Sequence, residues 1–376
     1  MQLTPHEPPF AHGDLSVVGG RIGSKLEDFR VDEVPLYPAS GEGDHWYVRL
    51  RKRGLTTQQL IGKLRDITGA SDRDIGSAGM KDKHAITSQW LSVPVLNSPE
   101  PASWELPSDI ELLEHSRHGN KLRTGHLVGN RFEIRLVELP EDYLPAATAM
   151  AERLQQQGLP NYYSGQRFGR EGRNLRDAHY WIGNPRAHKR TPRHKRKLYP
   201  SVLQSEIFNR YLTARYALDP AVLIQGEVVR LSETRSSFVV EDLSAEQPRL
   251  DAGQIHLLGP MPGPKMKAAT GVAGELEARI LQELELSIDD FAALGKLAQG
   301  TRRDLRLFPE SLQLSPDGAR ELIVRFALPS GSYATEVLRQ FTGAGLLEAR
   351  AFPPPPPEGE PAKKQAESSL TTADSD

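Results

Sequence analysis

Ala78-Gly79-Met80-Lys81-Asp82-Lys83-His84-Ala85-Ile86-Thr87-Ser88-Gln89-Trp90-Leu91-Ser92-Val93 places one carboxylate between two lysines, after a small-residue turn and ahead of a β-prone run. Ile86, Thr87, Trp90, Leu91 and Val93 predict a strand, so Asp82 is expected on the loop that enters it. A rigid strand can aim a loop side chain, which makes Asp82 the first candidate for chemistry. Lys81 and Lys83 would keep its carboxylate ionised at neutral pH. The plainer reading of the same residues is a salt-bridged surface turn.

Upstream, Phe29, Val31 and Glu33 alternate with Arg30, Asp32 and Val34, and Trp46, Val48 and Leu50 with Tyr47, Arg49 and Arg51, giving two strands. Between them and Asp82 lies a helix capped by Thr56 or Thr57, with Leu60, Ile61, Leu64 and Ile67 on one face and Gly69 as its stop. Downstream, Pro94 to Pro107 reads as loop, Arg117 to Gly125 as a basic segment, and Phe132, Ile134 and Leu136 as one face of a strand. Leu144 to Gln157 is helical, and Gly158 and Pro160 end it.

Composition changes at Asn161. Helical pattern returns from Ser201, a Gly/Pro-rich loop covers Gly259 to Pro264, and a long helix is expected over Glu275 to Leu297. Leu322, Val324 and Phe326 mark a further strand. Five consecutive prolines from Pro353 open a polar tail that cannot bury apolar surface and is expected to be disordered. The pattern as a whole is α+β.

The chain has 376 residues, room for two domains, and no cysteine, which excludes disulfides, thiolate zinc sites and cysteine nucleophiles. No apolar run reaches membrane-spanning length and the N-terminus lacks the pattern of a secretion signal, so a cytoplasmic location is expected. Net charge is -2; five acids against two lysines from Glu358 onward give the tail -3, leaving +1 on the remainder. There is no phosphate-binding G-x-x-x-x-G-K-[ST] loop, no dinucleotide fingerprint and no G-x-S-x-G elbow. His115 and His118 have no acidic partner that would make a zinc signature, so no metal is expected.

Four stretches suggest RNA. Asn161 to Arg170 interleaves aromatics with Arg167 and Arg170, which could stack bases and hold phosphates; alternatively Tyr162 and Phe168 are core residues of a glycine-rich turn. Arg186 to Lys197, including Lys195, Arg196 and Lys197, could track a phosphate backbone or be a solvated loop. Lys81 is a further phosphate candidate. Asn130, in Gly129-Asn130-Arg131-Phe132, could offer its amide to a base edge or merely enter a strand. Ser330-Gly331-Ser332 could bind an anion before a helix or cap it.

The stretch around Asp82 resembles the catalytic motif of the TruD family of tRNA pseudouridine synthases. Five further blocks look like family blocks in the family's order: Glu27 to Phe29, Gly129 to Phe132, Asn161 to Gly169, Gly259 to Gly263 and Phe326 to Thr335. The resemblance implies a V-shaped protein with a pseudouridine synthase catalytic domain, residues 1–157 and 308–352, and an inserted family-specific α/β domain, residues 158–307, before the tail at 353–376. It implies that uridine-13 of tRNA is isomerised with Asp82 as the catalytic carboxylate and without a cofactor, tRNA being the partner. It further implies that Phe29, Asn130 and Tyr333 line the uridine pocket and that Phe132 stacks on the base. Departures are Leu26 for a usual Pro, Gly23 where a basic residue is usual (Arg21 and Lys25 lie nearby), Ser164 for Gly and Tyr333 for Phe.

The implied chemistry suits the residues. Isomerisation breaks N1–C1′, turns the base and rejoins it through C5, so no electrons or groups are exchanged. One carboxylate can attack the sugar carbon or remove a sugar proton. The base must leave its stack to be reached. An RNA-binding module with a structural Asp82 is the rival reading; a two-carboxylate hydrolase lacks a motif for its second acid.

Overall fold

The computed structural model describes residues 3–96 and 98–343, so the Pro-rich tail lies outside the described residues. Strands Arg21–Ile22 (β1), Phe29–Pro35 (β2) and His45–Arg53 (β3) come first, then helix Thr57–Thr68 (α1). Gly76–Ser77 (β4), Ile86–Pro94 (β5), Ile110–His118 (β6) and Leu127–Val137 (β7) follow, then Tyr143–Gln157 (α2) and Leu159–Pro160 (β8). A helical stretch runs through Arg173–Ile182 (α3), Pro185–Arg190 (α4) and Arg193–Tyr216 (α5). Next are Val228–Leu231 (β9), Ser237–Val239 (β10), Leu243–Asp251 (α6), Ile255–Met261 (β11), Gly271–Glu283 (α7), Ile288–Ala292 (α8), Thr301–Asp304 (β12) and Arg306–Leu307 (β13). Glu310–Pro316 (β14), Leu322–Pro329 (β15) and Ala334–Thr342 (α9) complete the described chain, an α+β architecture.

The larger sheet has the order β14-β15-β7-β2-β5-β3-β6, with β1 beside β7 and β4 beside β5. It draws strands from both ends of the described chain. Its β2–β5 pairing is parallel, with Val31 opposite Thr87. Through the antiparallel neighbours, that register sets Lys52, Thr87, Val31, Phe132 and Phe326 in one cross-strand row. Glu33, Asn130 and Leu328 stand in the row beside it, on the same face because side chains alternate.

Helices cover that face in two places. Leu60, Ile61 and Leu64 of α1 pack on Val48, Leu50, Leu91 and Val93, while α2 and α9 pack on Ile134, Val324 and Phe326. Thr56 accepts the Gln59 N–H and Gly69 ends α1 at φ 73°, a conformation that favours glycine. The opposite face carries charges instead. Arg49 pairs with Asp32 and Glu114, Arg51 with Glu111, and Arg325 with Glu133.

The intervening chain builds a second sheet, β10-β9-β11-β12, on a separate core in which Leu203, Ile207, Phe208 and Tyr211 of α5 are buried. Several sequence expectations change here. Gly259 to Met261 is strand, not loop: β9 pairs only with Ile255 to Leu257, so Pro260 lies beyond it and its missing N–H costs no bond on that side. A side chain at Gly259 would meet the Phe208 ring at 2.7 Å, which explains the glycine. Helix α5 begins at Arg193 rather than Ser201 and runs through Pro200. The helix expected over Glu275 to Leu297 is broken, with Glu285 at φ 54° and Ser287 capping α8. Strands β6 and β14 were not legible; both are sheet edges, and β14 carries a bulge between Glu310 and Gln313.

The second unit is tied by a fully buried ion pair. Arg215 Nε lies 2.7 Å from Glu227 Oε1, both side chains 0 % exposed, and Arg215 also donates to the carbonyls of Asp219 and Val222. Arg215→Met leaves Glu227 charged and unpaired in the core, and such a break costs roughly 3–5 kcal/mol. Urea denaturation should show that loss, and Arg215→Met with Glu227→Gln should recover part of it.

Candidate active site

Asp82 lies on the loop between β4 and β5, as expected, and its carboxylate is exposed. No described residue donates a hydrogen bond to that carboxylate. The main chain around it is held firmly. The Lys81 N–H donates to Thr57 Oγ1 at 2.9 Å, and that hydroxyl donates to buried Gln89 at 3.0 Å. Lys52 Nζ donates to the Asp82 carbonyl at 2.8 Å and also to the Leu55 carbonyl.

Lys52 is fully buried, and burial pushes its ammonium down to about 8; the nearby negative charge of Asp82 opposes that fall. Nothing in the local sequence marks this lysine, because only the β3–β5 register brings it under the loop. Lys81 behaves differently from the expectation. Its ammonium lies 2.8 Å from Glu33 Oε2 as a charge contact, and it donates to Asn130 Oδ1 at 2.7 Å. Its side chain is 5 % exposed, and its charge is committed to Glu33 rather than Asp82.

Gly23 cannot host a basic partner either: a Cβ there would meet Asp28 Oδ2 at 2.2 Å, and Asp28 is engaged by Arg135. Nearby Arg21 pairs with Glu138.

Asp82, Phe29, Asn130, Phe132 and Tyr333 line one cavity of about 240 Å³, together with Met80 and Gln166. The half-buried Phe132 ring stacks on Phe326 at 5.3 Å and meets Phe29 edge-on at 6.4 Å. Tyr333 is the N-cap residue of α9 without a side-chain cap bond, so neither Ser330 nor Ser332 caps the helix. Burial pushes its phenol above the ordinary range, with the Arg167 guanidinium acting against that shift.

The segment from Asn161 divides. Tyr162 and Phe168 are core residues, and burial holds the Tyr162 phenol at about 12, so neither is free to stack on a base. Arg167 donates to Ser205 Oγ at 3.2 Å, and Arg170 is exposed. Lys195 lines a separate cavity of about 590 Å³ with Tyr180, Arg186 and Arg190 and is 3.9 Å from Asp177. The basic run is therefore two helices, not a loop; Lys195 and Arg196 stand in the first turn of α5 and Lys197 opens the second. Cations there oppose the helix dipole, a placement that does not favour the fold.

A larger cavity of about 720 Å³ shares Asn130 and Ser332 with the Asp82 pocket. Arg131, Arg230, Arg235, Arg303 and Arg306 line it. The sequence did not single out these arginines, because they come from three distant segments with ordinary local charge. Arg303 spans both sheets: it donates to Asn161 and to the Gly331 carbonyl, and its guanidinium lies 4.1 Å from the Tyr163 ring centroid.

Among the described residues no cluster could hold a metal, and no helix is long and apolar enough to cross a membrane. The family model for tRNA pseudouridine synthase D (TruD) matches residues 12–184 and 181–341. A curated tRNA pseudouridine synthase D from Anaeromyxobacter dehalogenans is 41% identical over 344 residues, covering 89% of this chain and 96% of the relative. One from Thermus thermophilus is 38% identical over 361 residues, covering 95% and 98%. The crystal structure of a protein described as a tRNA pseudouridine synthase D from Methanosarcina mazei shares the fold, with TM-score 0.67 at 24% identity over 89% of this chain and 96% of that one. With a family model spanning nearly all the described residues and relatives this similar along their whole length, the chain belongs to the tRNA pseudouridine synthase D (TruD) family.

Proposed function

We propose that this protein isomerises uridine-13 of tRNA to pseudouridine, with Asp82 as the catalytic carboxylate. One observation carries the reading: an exposed carboxylate without a hydrogen-bonding partner among the described residues, on a loop held by its main chain, beside a cavity lined by aromatic rings and an amide. A carboxylate kept only for structure would be expected to hold a donor. Asp82 attacks C1′ or takes a sugar proton, and N1–C1′ breaks with its electrons on the base. The base turns and C5 forms the new bond to C1′; the C5 proton leaves, and N1 is protonated. Phe132 replaces the stacking that the extruded uridine loses, Phe29 backs it in the pocket wall, and Tyr333 closes the pocket beside α9.

The inserted unit, residues 158–307, supplies RNA contacts in this reading. The arginine-lined cavity next to the pocket receives phosphates flanking the target, aided by Arg167 and Arg170, and Lys195, Arg196 and Lys197 hold a more distant part of the tRNA. Reaction within one nucleoside requires no cofactor, and a cytoplasmic location follows from the tRNA substrate.

Asp82→Asn tests the catalytic assignment. Pseudouridine formed in single turnover with enzyme in excess should fall below detection, while melting temperature and tRNA affinity persist. Normal conversion would sink the mechanism; joint loss of folding and binding would make Asp82 structural. Replacing Lys195, Arg196 and Lys197 by Ala should flatten the salt dependence of tRNA binding by about 0.9 log units per lost phosphate contact. An unchanged slope would remove this helix end from the RNA interface.

A further inference from the structure

Asn130 lines the pocket beside Asp82, and its amide has two unlike ends, a carbonyl acceptor and an amino donor. Which end faces the cavity decides which base edge can be bound. Lys81 determines this by elementary chemistry. Its ammonium donates only, and it lies 2.7 Å from Asn130 Oδ1. An NH₂ group could not occupy that place, so the oxygen faces Lys81 and Nδ2 is turned away from it. Nδ2 has no protein partner among the described residues.

Nothing in this arrangement is free to swing. Glu33 lies 2.8 Å from the ammonium, the two side chains being 5 % and 1 % exposed, and its other oxygen accepts the Trp90 N–H at 3.1 Å. Glu33 is the register partner of Asn130 across β2 and β7, and Leu328 of β15 pairs with Asn130 on its other side. The carboxylate, ammonium and amide are therefore aligned by strand register.

We propose that Lys81 is a positioning residue for base selection: it locks Asn130 as a hydrogen-bond donor, so the pocket accepts a pyrimidine with a carbonyl at C4 and rejects one with an amino group. Uracil offers O4 to Nδ2. Cytosine presents N4–H₂, and two donors facing each other in a desolvated site leave both unsatisfied. The inference rests on the uridine reading above. It adds that selection originates in a buried ion pair acting through the orientation of the Asn130 amide.

The test is equilibrium binding in an Asp82→Asn background, where turnover is blocked. Two transcripts of one tRNA differ only in U or C at the target position. Comparing the ratio of their dissociation constants between proteins cancels the different costs of extruding each base. The background protein should favour the U transcript. Lys81→Met combined with Glu33→Gln removes both buried charges together and lets the amide turn over, so the ratio should fall about tenfold or more. Asn130→Asp, with Lys81 retained, presents an acceptor to the cavity and should invert the ratio. A purely structural role would weaken both transcripts alike and leave the ratio unchanged, which overturns the proposal. If the paired variant does not fold, Asn130→Asp decides alone: inversion supports the proposal and an unchanged ratio overturns it. Absence of a U preference in the background protein overturns the uridine reading itself.

Discussion

A single buried ammonium joins the three elements on which the pocket depends. Lys81 leaves the Asp82 loop, meets Glu33 on β2 and reaches Asn130 on β7. Leaving such a charge unpaired away from water would cost several kcal/mol, so the loop is favoured only where Glu33 can meet it. Thr57 holds the Lys81 amide from the start of α1, and Lys52 holds the Asp82 carbonyl from β3. Four separate segments thereby fix the main chain of Asp82, while among the described residues none donates to its carboxylate. Under the proposed reading, a fixed backbone carrying an exposed carboxylate is what preorganisation requires.

The larger sheet divides its labour by face. Side chains alternate along each strand, so the row holding Phe132 and Val31 is separated from Arg30, Asp32, Arg49 and Glu133 by one residue at a time. The charged face is satisfied by cross-strand ion pairs, each exposed and individually weak. The other face is closed at one side by α1 and at the other by α2 and α9, and the aromatic pocket occupies the space between. A one-residue slip in β7 would exchange Asn130 and Phe132 for Arg131 and Glu133.

Contacts between the two sheets are made close to that pocket. Tyr163, from the chain leaving the larger sheet, meets Tyr333 edge-on at 5.8 Å, and Arg303 lies against the same tyrosine while reaching Gly331. The arginine-lined cavity opens beside these contacts and shares Asn130 with the pocket. A ligand with flanking phosphates would therefore touch both units while its central group entered the smaller space.

Much of this was readable in the sequence because it is local. The Asp82 loop, the alternation of β2, β3, β7 and β15, and the capping of α1 all follow from residues within a few positions of one another. The edge strands β6 and β14 were hidden because an edge buries fewer side chains and leaves a weaker pattern. Pro260 and Pro200 misled the reading because a proline is tolerated where no partner needs its N–H or where packing outweighs the lost bond. The identity of Asp82, Phe132 and Asn130 as a group came from motif resemblance; their meeting in one cavity came from strand register. What only the tertiary structure decided is which charge faces which. Sequence put Lys81 next to Asp82, yet its ammonium turns to Glu33, 48 positions away in the chain, and Lys52 takes the place beneath the loop. Local spacing sets which side chains share a strand face, whereas desolvation and cross-strand pairing, fixed only after folding, select the partner of a buried charge.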